Sequence, residues 1–180
     1  CGGHLLGKVD LNDEVFFPLW ELMESEGYVL AVDFSEGEIQ VPQFEIILSK
    51  FPHLKVAIGH FGMPNRSGWP GQLNLCHHEN VYMECGGIIW LYRSEGYPFT
   101  QALETIKKAA REVGYSKLMW GSDWPRTMVD FTYRQSLDFI REDDSIDEFD
   151  KELFLGKNAA NLYGFKLENT NSPSPLITEG

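Results

Sequence analysis

Hydrophobic positions along this chain follow two alternating rhythms, short unbroken apolar runs and longer stretches with apolar residues three and four apart. The runs are "YVLAVDF" (28–34), "LKVAIGH" (54–60), "ENVYMEC" (79–85) and "KLMWG" (117–121). They are rich in β-branched and aromatic residues, which predicts strands. Between them, "LNDEVFFPLWELMESEG" offers Asn12 or Asp13 as a cap, places Phe16, Leu19, Trp20 and Met23 on one helical face, and stops at Gly27. "VPQFEIILSKFP" predicts a helix beginning near Pro42, with Phe44, Ile47, Leu48 and Phe51 on one side. Further helices are predicted near 100–113, closed by Gly114, and near 132–142. A last helical stretch starts at the box "SIDE" (Ser145 to Glu148), carries Phe149, Leu153 and Phe154, and runs through "GKNAANLYGF". The polar tail at 166–180, with two prolines, reads as disordered.

Strand followed by helix, four times over, predicts a parallel sheet. Continuous apolar runs predict strands buried on both faces. A doubly wound sheet and a (β/α)8 TIM-type barrel both satisfy this pattern. No G-x-G-x-x-G or G-x-x-x-x-G-K-[ST] loop follows any strand, so the nucleotide-binding fold loses its best support. The strand ends carry "DF", "GHFG", "ECGG" and "GSDWP" instead. Polar side chains at the C-terminal ends of successive parallel strands are how barrel enzymes assemble a site.

Composition narrows the functional classes. With 180 residues, 43% of them hydrophobic, the chain can bury a core, and one domain is expected. A net charge of -12 opposes nucleic acid and anionic membranes, although a local arginine could still hold a small anionic substrate. No segment approaches the ~20 apolar residues of a membrane span. Cys1, Cys76 and Cys85 form an odd, sparse set without disulfide spacing, which favours a reducing, cytoplasmic compartment. "CHHE" (76–79) invites a zinc reading, but neighbours on an extended segment point in opposite directions and no second pair stands at finger spacing. The N-terminus shows no signal-peptide pattern, and the chain begins "CGGHLL", without Met, which suggests that a segment has been removed or precedes it.

His60, at a strand end before Phe61 and Gly62, could ligate a metal, donate to a carbonyl oxygen or move a proton, or it could be a core imidazole bonded to backbone. Asp123 reads either as a turn residue before Pro125 or as a carboxylate at a barrel mouth, walled by the indoles of Trp120 and Trp124. Asp33 faces the same choice. Arg93 is a planar donor suited to a carboxylate, or a surface salt-bridge partner. Glu84 faces into or away from a barrel according to register, which the sequence does not decide. His4, His53, His77 and His78 lie off the strand ends and are expected to face solvent.

Taken together, "FPHLKVAIGHFGMP", "NVYMECGG", "KLMWGSDWP" and "FLGKNAANLYGF" resemble, in order and spacing, the C-terminal half of the amidohydrolase-related family of the amidohydrolase superfamily, over roughly residues 15 to 165. The stretch from Val32 to Pro64 is most similar to the lactonase branch, which includes 2-pyrone-4,6-dicarboxylate lactonase and sugar-acid lactonases. The resemblance implies a distorted (β/α)8 barrel of which residues 1–165 supply about β5 to β8. It matches His60 to a strand-six histidine and Asp123 to the strand-eight aspartate. The family's strand-one H-x-H pair is absent here, and Asp33 stands where many metal-dependent members have histidine.

A full barrel takes ~250 residues. The resemblance therefore implies either a longer protein or two copies that close each other's edges as a homodimer. The implied activity is hydrolysis of a lactone or ester of a small carboxylic acid, with Asp123 as general base that later returns the proton and His60 as carbonyl polariser. Arg93 is expected to anchor the substrate carboxylate, with Tyr92, Trp124 and Asp33 lining the pocket. The expected cofactor is none, or one zinc or manganese held by His60 and Asp123 with an H-x-H pair from elsewhere, for hydrolysis or decarboxylation. A non-catalytic binding or assembly module is the remaining alternative.

Overall fold

The structure is a computed structural model that describes residues 9–34 and 36–166. The anticipated strands form as β1 (Val29–Val32), β2 (Lys55–Ile58), β3 (Val81–Glu84) and β4 (Leu118–Met119), in one sheet of order β1-β2-β3-β4. Every pairing is parallel. Sequential order with no reversal is an arc of a barrel; a doubly wound sheet would reverse at a switch point. The connecting helices are α2 (Gly37–Lys50), α3 (Trp69–Leu75), a short α4 (Ile88–Leu91) and α5 (Thr100–Val113). α1 (Phe17–Ser25) precedes β1; α6 (Tyr133–Arg141), α7 (Glu148–Glu152), a π-helical turn (Leu153–Lys157) and α8 (Asn158–Tyr163) follow β4.

Local chemistry explains most boundaries. Asp13 accepts a hydrogen bond from Val15 N–H and opens a 3-10 turn ahead of α1. Gly114, at φ 80°, closes α5 in a conformation that costs glycine nothing. Thr132 and Gln135 form a reciprocal capping box at α6.

Four expectations need correction. α2 starts at Gly37, not near Pro42, because Gly37 and Gly68 let the chain cross closely there: a Cβ on Gly68 would lie 2.8 Å from Gly37 Cα. Pro42 sits inside the helix on its exposed side, where the carbonyl it leaves unpaired can turn to water. The "SIDE" box is not the cap used, because Ser145 bonds Asp143 and Asp147 caps α7 by accepting from Asp150 N–H. Phe149 is 65% exposed and Leu19 46% exposed, so neither joins the face assigned to it, whereas Phe154 and Trp20 are buried.

Burial on both sheet faces is realised only in part. Leu30, Val32, Val56, Ile58, Val81, Met83 and Leu118 face the helices in the main core. On the opposite, inner face, Ala57 and Met119 are buried with Leu162, and Val29, Tyr82 and Ala159 pack against them. Ala31 is exposed on that face, since among the described residues only α8 covers it. The tail expected at 166–180 lies, beyond Lys166, outside the described residues. No helix among the described residues is long and apolar enough to cross a membrane.

Candidate active site

Beyond the last paired residues, the inner face continues into the strand ends. Two residues past Ala31, Ala57, Tyr82 and Met119 come Asp33, Gly59, Glu84 and Gly121, all on the inner side by strand alternation. Glycines make room for the acids. A Cβ on Gly59 would lie 2.5 Å from Asp33 Oδ1, and one on Gly121 would lie 1.3 Å from Glu84 Oε1.

His60 and Asp123 are then aimed by backbone that side chains rarely adopt. His60, Phe61, Gly62 and Met63 have φ of 50°, 51°, 62° and 56°, and Asp123 has φ 49°. Each non-glycine residue held there costs roughly 1–2 kcal/mol. Phe61, fully buried against Trp69, helps hold the first turn. Strain of this kind persists where surrounding structure enforces it, and His60 and Asp123, which the strand-end pattern had singled out, are two of the five non-glycine residues among those described that carry it, with Phe61, Met63 and Phe99.

The side chains meet in a chain of contacts. Asp33 Oδ1 lies 2.7 Å from His60 Nδ1, and Asp123 Oδ1 lies 3.6 Å from His60 Nε2. Trp90 Nε1–H donates to Asp123 Oδ2 at 2.8 Å, with its ring edge-on to His60. The Arg126 guanidinium stacks 5.6 Å over the Trp90 ring and donates to Asp130 at 3.0 Å.

The hydrogen bond to Asp33 is the main reason the His60 pKa is pushed up to about 9; the charges of Asp33, Asp123 and Glu84 add to it, against the opposing effect of burial. His60 is therefore an imidazolium at neutral pH, with both ring nitrogens as donors. Nδ1–H is used by Asp33. At 3.6 Å the Nε2 contact is too long for a hydrogen bond, so that proton is available to an oxygen placed beside Asp123.

Other expected site residues fall elsewhere. Tyr92 bonds Thr105 on α5, which turns its hydroxyl away from the cluster. Arg93 is exposed, and no described contact of its side chain reaches His60 or Asp123. Trp124 is 70% exposed, and Trp120 donates to Ser136 O on α6, so neither indole walls Asp123 in the way expected. Asp33 orients His60 rather than standing free in a pocket. His53 and His77 are exposed as expected, but His78 is half-buried and bonds Glu45 at 2.8 Å. His4 lies outside the described residues.

Glu84, Trp90 and Arg126 were not assigned to the site from sequence. The glycines opposite Glu84 were a usable signal; nothing in the pattern announced Trp90, which reaches Asp123 from a helix of four residues.

The match that decides the family covers residues 3–165, against the model of the family described as Amidohydrolase. The chain belongs to the amidohydrolase family. Solved structures with the same fold include a probable 2-pyrone-4,6-dicarboxylic acid hydrolase from Acinetobacter baumannii with citric acid bound. It has a TM-score of 0.72 and 20% identity, over 92% of this chain and 63% of that one. An amidohydrolase from Burkholderia multivorans with bound zinc has a TM-score of 0.71 and 17% identity, over 91% of this chain and 63% of that one. 2,6-Dihydroxybenzoate decarboxylase from Rhizobium has a TM-score of 0.59 and 16% identity, over 87% and 57%. This amidohydrolase-family chain thus spans about three fifths of the length of these structures. No match is found among curated proteins.

The bound zinc of one relative raises the question whether these residues fit a metal. Among the described residues no group of three or more His, Cys, Asp or Glu side chains could hold one. His60 Nε2 and Asp123 Oδ1 offer two donors, and Asp33 takes the other ring nitrogen. The described donor set does not by itself make a metal site.

Proposed function

We propose that this amidohydrolase-family protein is a hydrolase that opens a lactone or ester of a small carboxylic acid. The observation that carries the reading is the gap between His60 Nε2 and Asp123 Oδ1, 3.6 Å wide and flanked by a carboxylate acceptor and an imidazolium donor. Asp123 Oδ1 accepts a proton from water as its oxygen attacks the carbonyl carbon. His60 Nε2–H donates to the carbonyl oxygen as negative charge develops on it, an interaction whose loss commonly costs ~10²-fold or more in rate. Asp33 fixes the ring for that task. Arg126, rather than Arg93, supplies positive charge for a substrate carboxylate, with Trp90 as its platform. The relatives described as 2-pyrone-4,6-dicarboxylic acid hydrolases, one with citric acid bound, support a carboxylate-bearing substrate.

Asp123→Asn tests the assignment with little risk to the fold. Asparagine tolerates left-handed backbone, and its carbonyl oxygen can still accept from Trp90. Turnover should fall at least ~10²-fold while dicarboxylate binding, measured by calorimetry, is kept. Retained turnover would remove Asp123 from the reaction.

The second reading is a divalent-metal-dependent hydrolase or decarboxylase. It is favoured by the convergence of His60 Nε2 and Asp123 Oδ1 on one gap, and by the zinc-bound and decarboxylase relatives. Activity lost to a chelator and restored by zinc or manganese would select it.

A further inference from the structure

Opening a lactone needs two proton transfers, one from the attacking water and one to the departing alkoxide. Asp123 is placed for the first and has no free oxygen left for the second. Its Oδ2 is occupied by Trp90 Nε1–H and its Oδ1 faces His60. A second carboxyl lies on the same inner face.

Glu84 ends β3 and lies over Gly121 of the neighbouring strand end, where any side chain on residue 121 would displace it. A Cβ on Gly86 would also come within 2.6 Å of Oε1. The carboxyl thus occupies a notch left by two glycines and anchored by one hydrogen bond, from Gly86 N–H to Oε1 at 2.8 Å. Oε2 accepts no hydrogen bond from a described residue, nor is it among the sealed, unpartnered atoms of the interior. That oxygen is unpartnered among the described residues, on a carboxyl that feels the charges of both His60 and Asp123.

We propose that Glu84 is the second acid–base group of this site, donating a proton from Oε2 to the leaving oxygen while Asp123 serves the water. This rests on the lactone or ester reading above. The sequence balances: Asp123 gains the water's proton as the new C–O bond forms. Collapse of the tetrahedral intermediate then breaks the carbonyl carbon to ring-oxygen bond, and the alkoxide takes the proton of Glu84. Asp123 passes its proton to solvent and Glu84 regains one, leaving a hydroxy acid.

Electrostatics agree with that division of labour. Burial pushes the Glu84 pKa up to about 7, partly offset by the Gly86 hydrogen bond and the His60 charge, with Asp123 and Asp33 adding to the rise. The other titratable groups that sense its charge are Tyr163 on α8 and the buried Cys85 thiol. A buried carboxyl that still carries its proton near neutral pH is what a general-acid step needs.

Glu84→Gln keeps the shape and an acceptor for Gly86 N–H but removes the acidic proton. General acid catalysis predicts a dependence on the leaving group. With a δ-valerolactone bearing a ring carboxylate, whose leaving oxygen is an alkoxide, kcat should fall ~10²-fold. With a dihydrocoumarin bearing a ring carboxylate, whose leaving oxygen is a phenoxide, it should fall less than about threefold. Equal losses on both substrates, or none on either, would overturn the proposal, since a merely structural carboxyl would slow both alike. A carboxyl-region infrared titration of wild type against Glu84→Gln separates this failure from failure of the parent reading. If wild type opens no lactone or ester, the parent reading fails. Even then, a Glu84 band titrating near the ordinary carboxylate value would count independently against Glu84 as the acid.

Discussion

At the scale of single residues, the account depends on His60 holding its charge. Its pKa stands near 9 in the folded protein against 6.5 for an ordinary histidine, so the Asp33–His60 pair stabilises the fold fully below about pH 6.5. That contribution is lost as pH rises through 9. Urea unfolding of wild type should therefore weaken between pH 6.5 and 9 by more than Asp33→Asn does over the same range; equal slopes would show that the pair is not coupled. His60 and Asp123 were legible from sequence because a polar residue after an apolar strand is conspicuous. Glu84 was not, because one residue of register decides whether it faces the helices or the inner face. Trp90 was hidden for another reason: its role depends on how a four-residue helix turns back over the neighbouring strand end.

At the scale of elements, the alternation of apolar runs and periodic stretches located all four strands and the longer helices, since burial sets both rhythms directly, but it did not announce the short helices α3 and α4. Caps were harder to place, because several Ser and Asp residues near 143–148 compete for the same turn, and Asp147 takes the cap while Ser145 is bonded to Asp143. The segment after α7 does something that hydrophobic pattern does not encode. Trp120 N–H donates to Phe154 O at 2.7 Å, and Asn158 Nδ2 donates to both Tyr115 O and Leu118 O at 2.7 Å. These bonds satisfy main-chain groups on the outer side of β4, an edge that would otherwise invite pairing with another chain. Asn158 is buried, so Asn158→Ala should cost about 1–3 kcal/mol in denaturant unfolding by leaving those carbonyls without donors. A change within a few tenths would mean that water replaces the amide.

At the scale of the whole molecule, an arc of four parallel strands carries an ionisable cluster at its C-terminal rim, in a chain of net charge -12. Three carboxyls, Asp33, Glu84 and Asp123, surround one imidazolium. An anionic substrate approaches this field against repulsion, which salt screens. The family was readable from the four motifs, and the match over residues 3–165 bears it out. The identity of the acid is set by loops and by pocket walls that no motif describes. The most direct measurement is continuous pH-stat titration of ring opening by the purified protein, using 2-pyrone-4,6-dicarboxylate and other carboxylated lactones at low and moderate salt. The account predicts catalysed base consumption equal to the lactone opened, unaffected by chelator, with kcat/KM for the anionic substrate rising about twofold or more as salt is added. Base consumption no faster than the uncatalysed rate across the panel would contradict it.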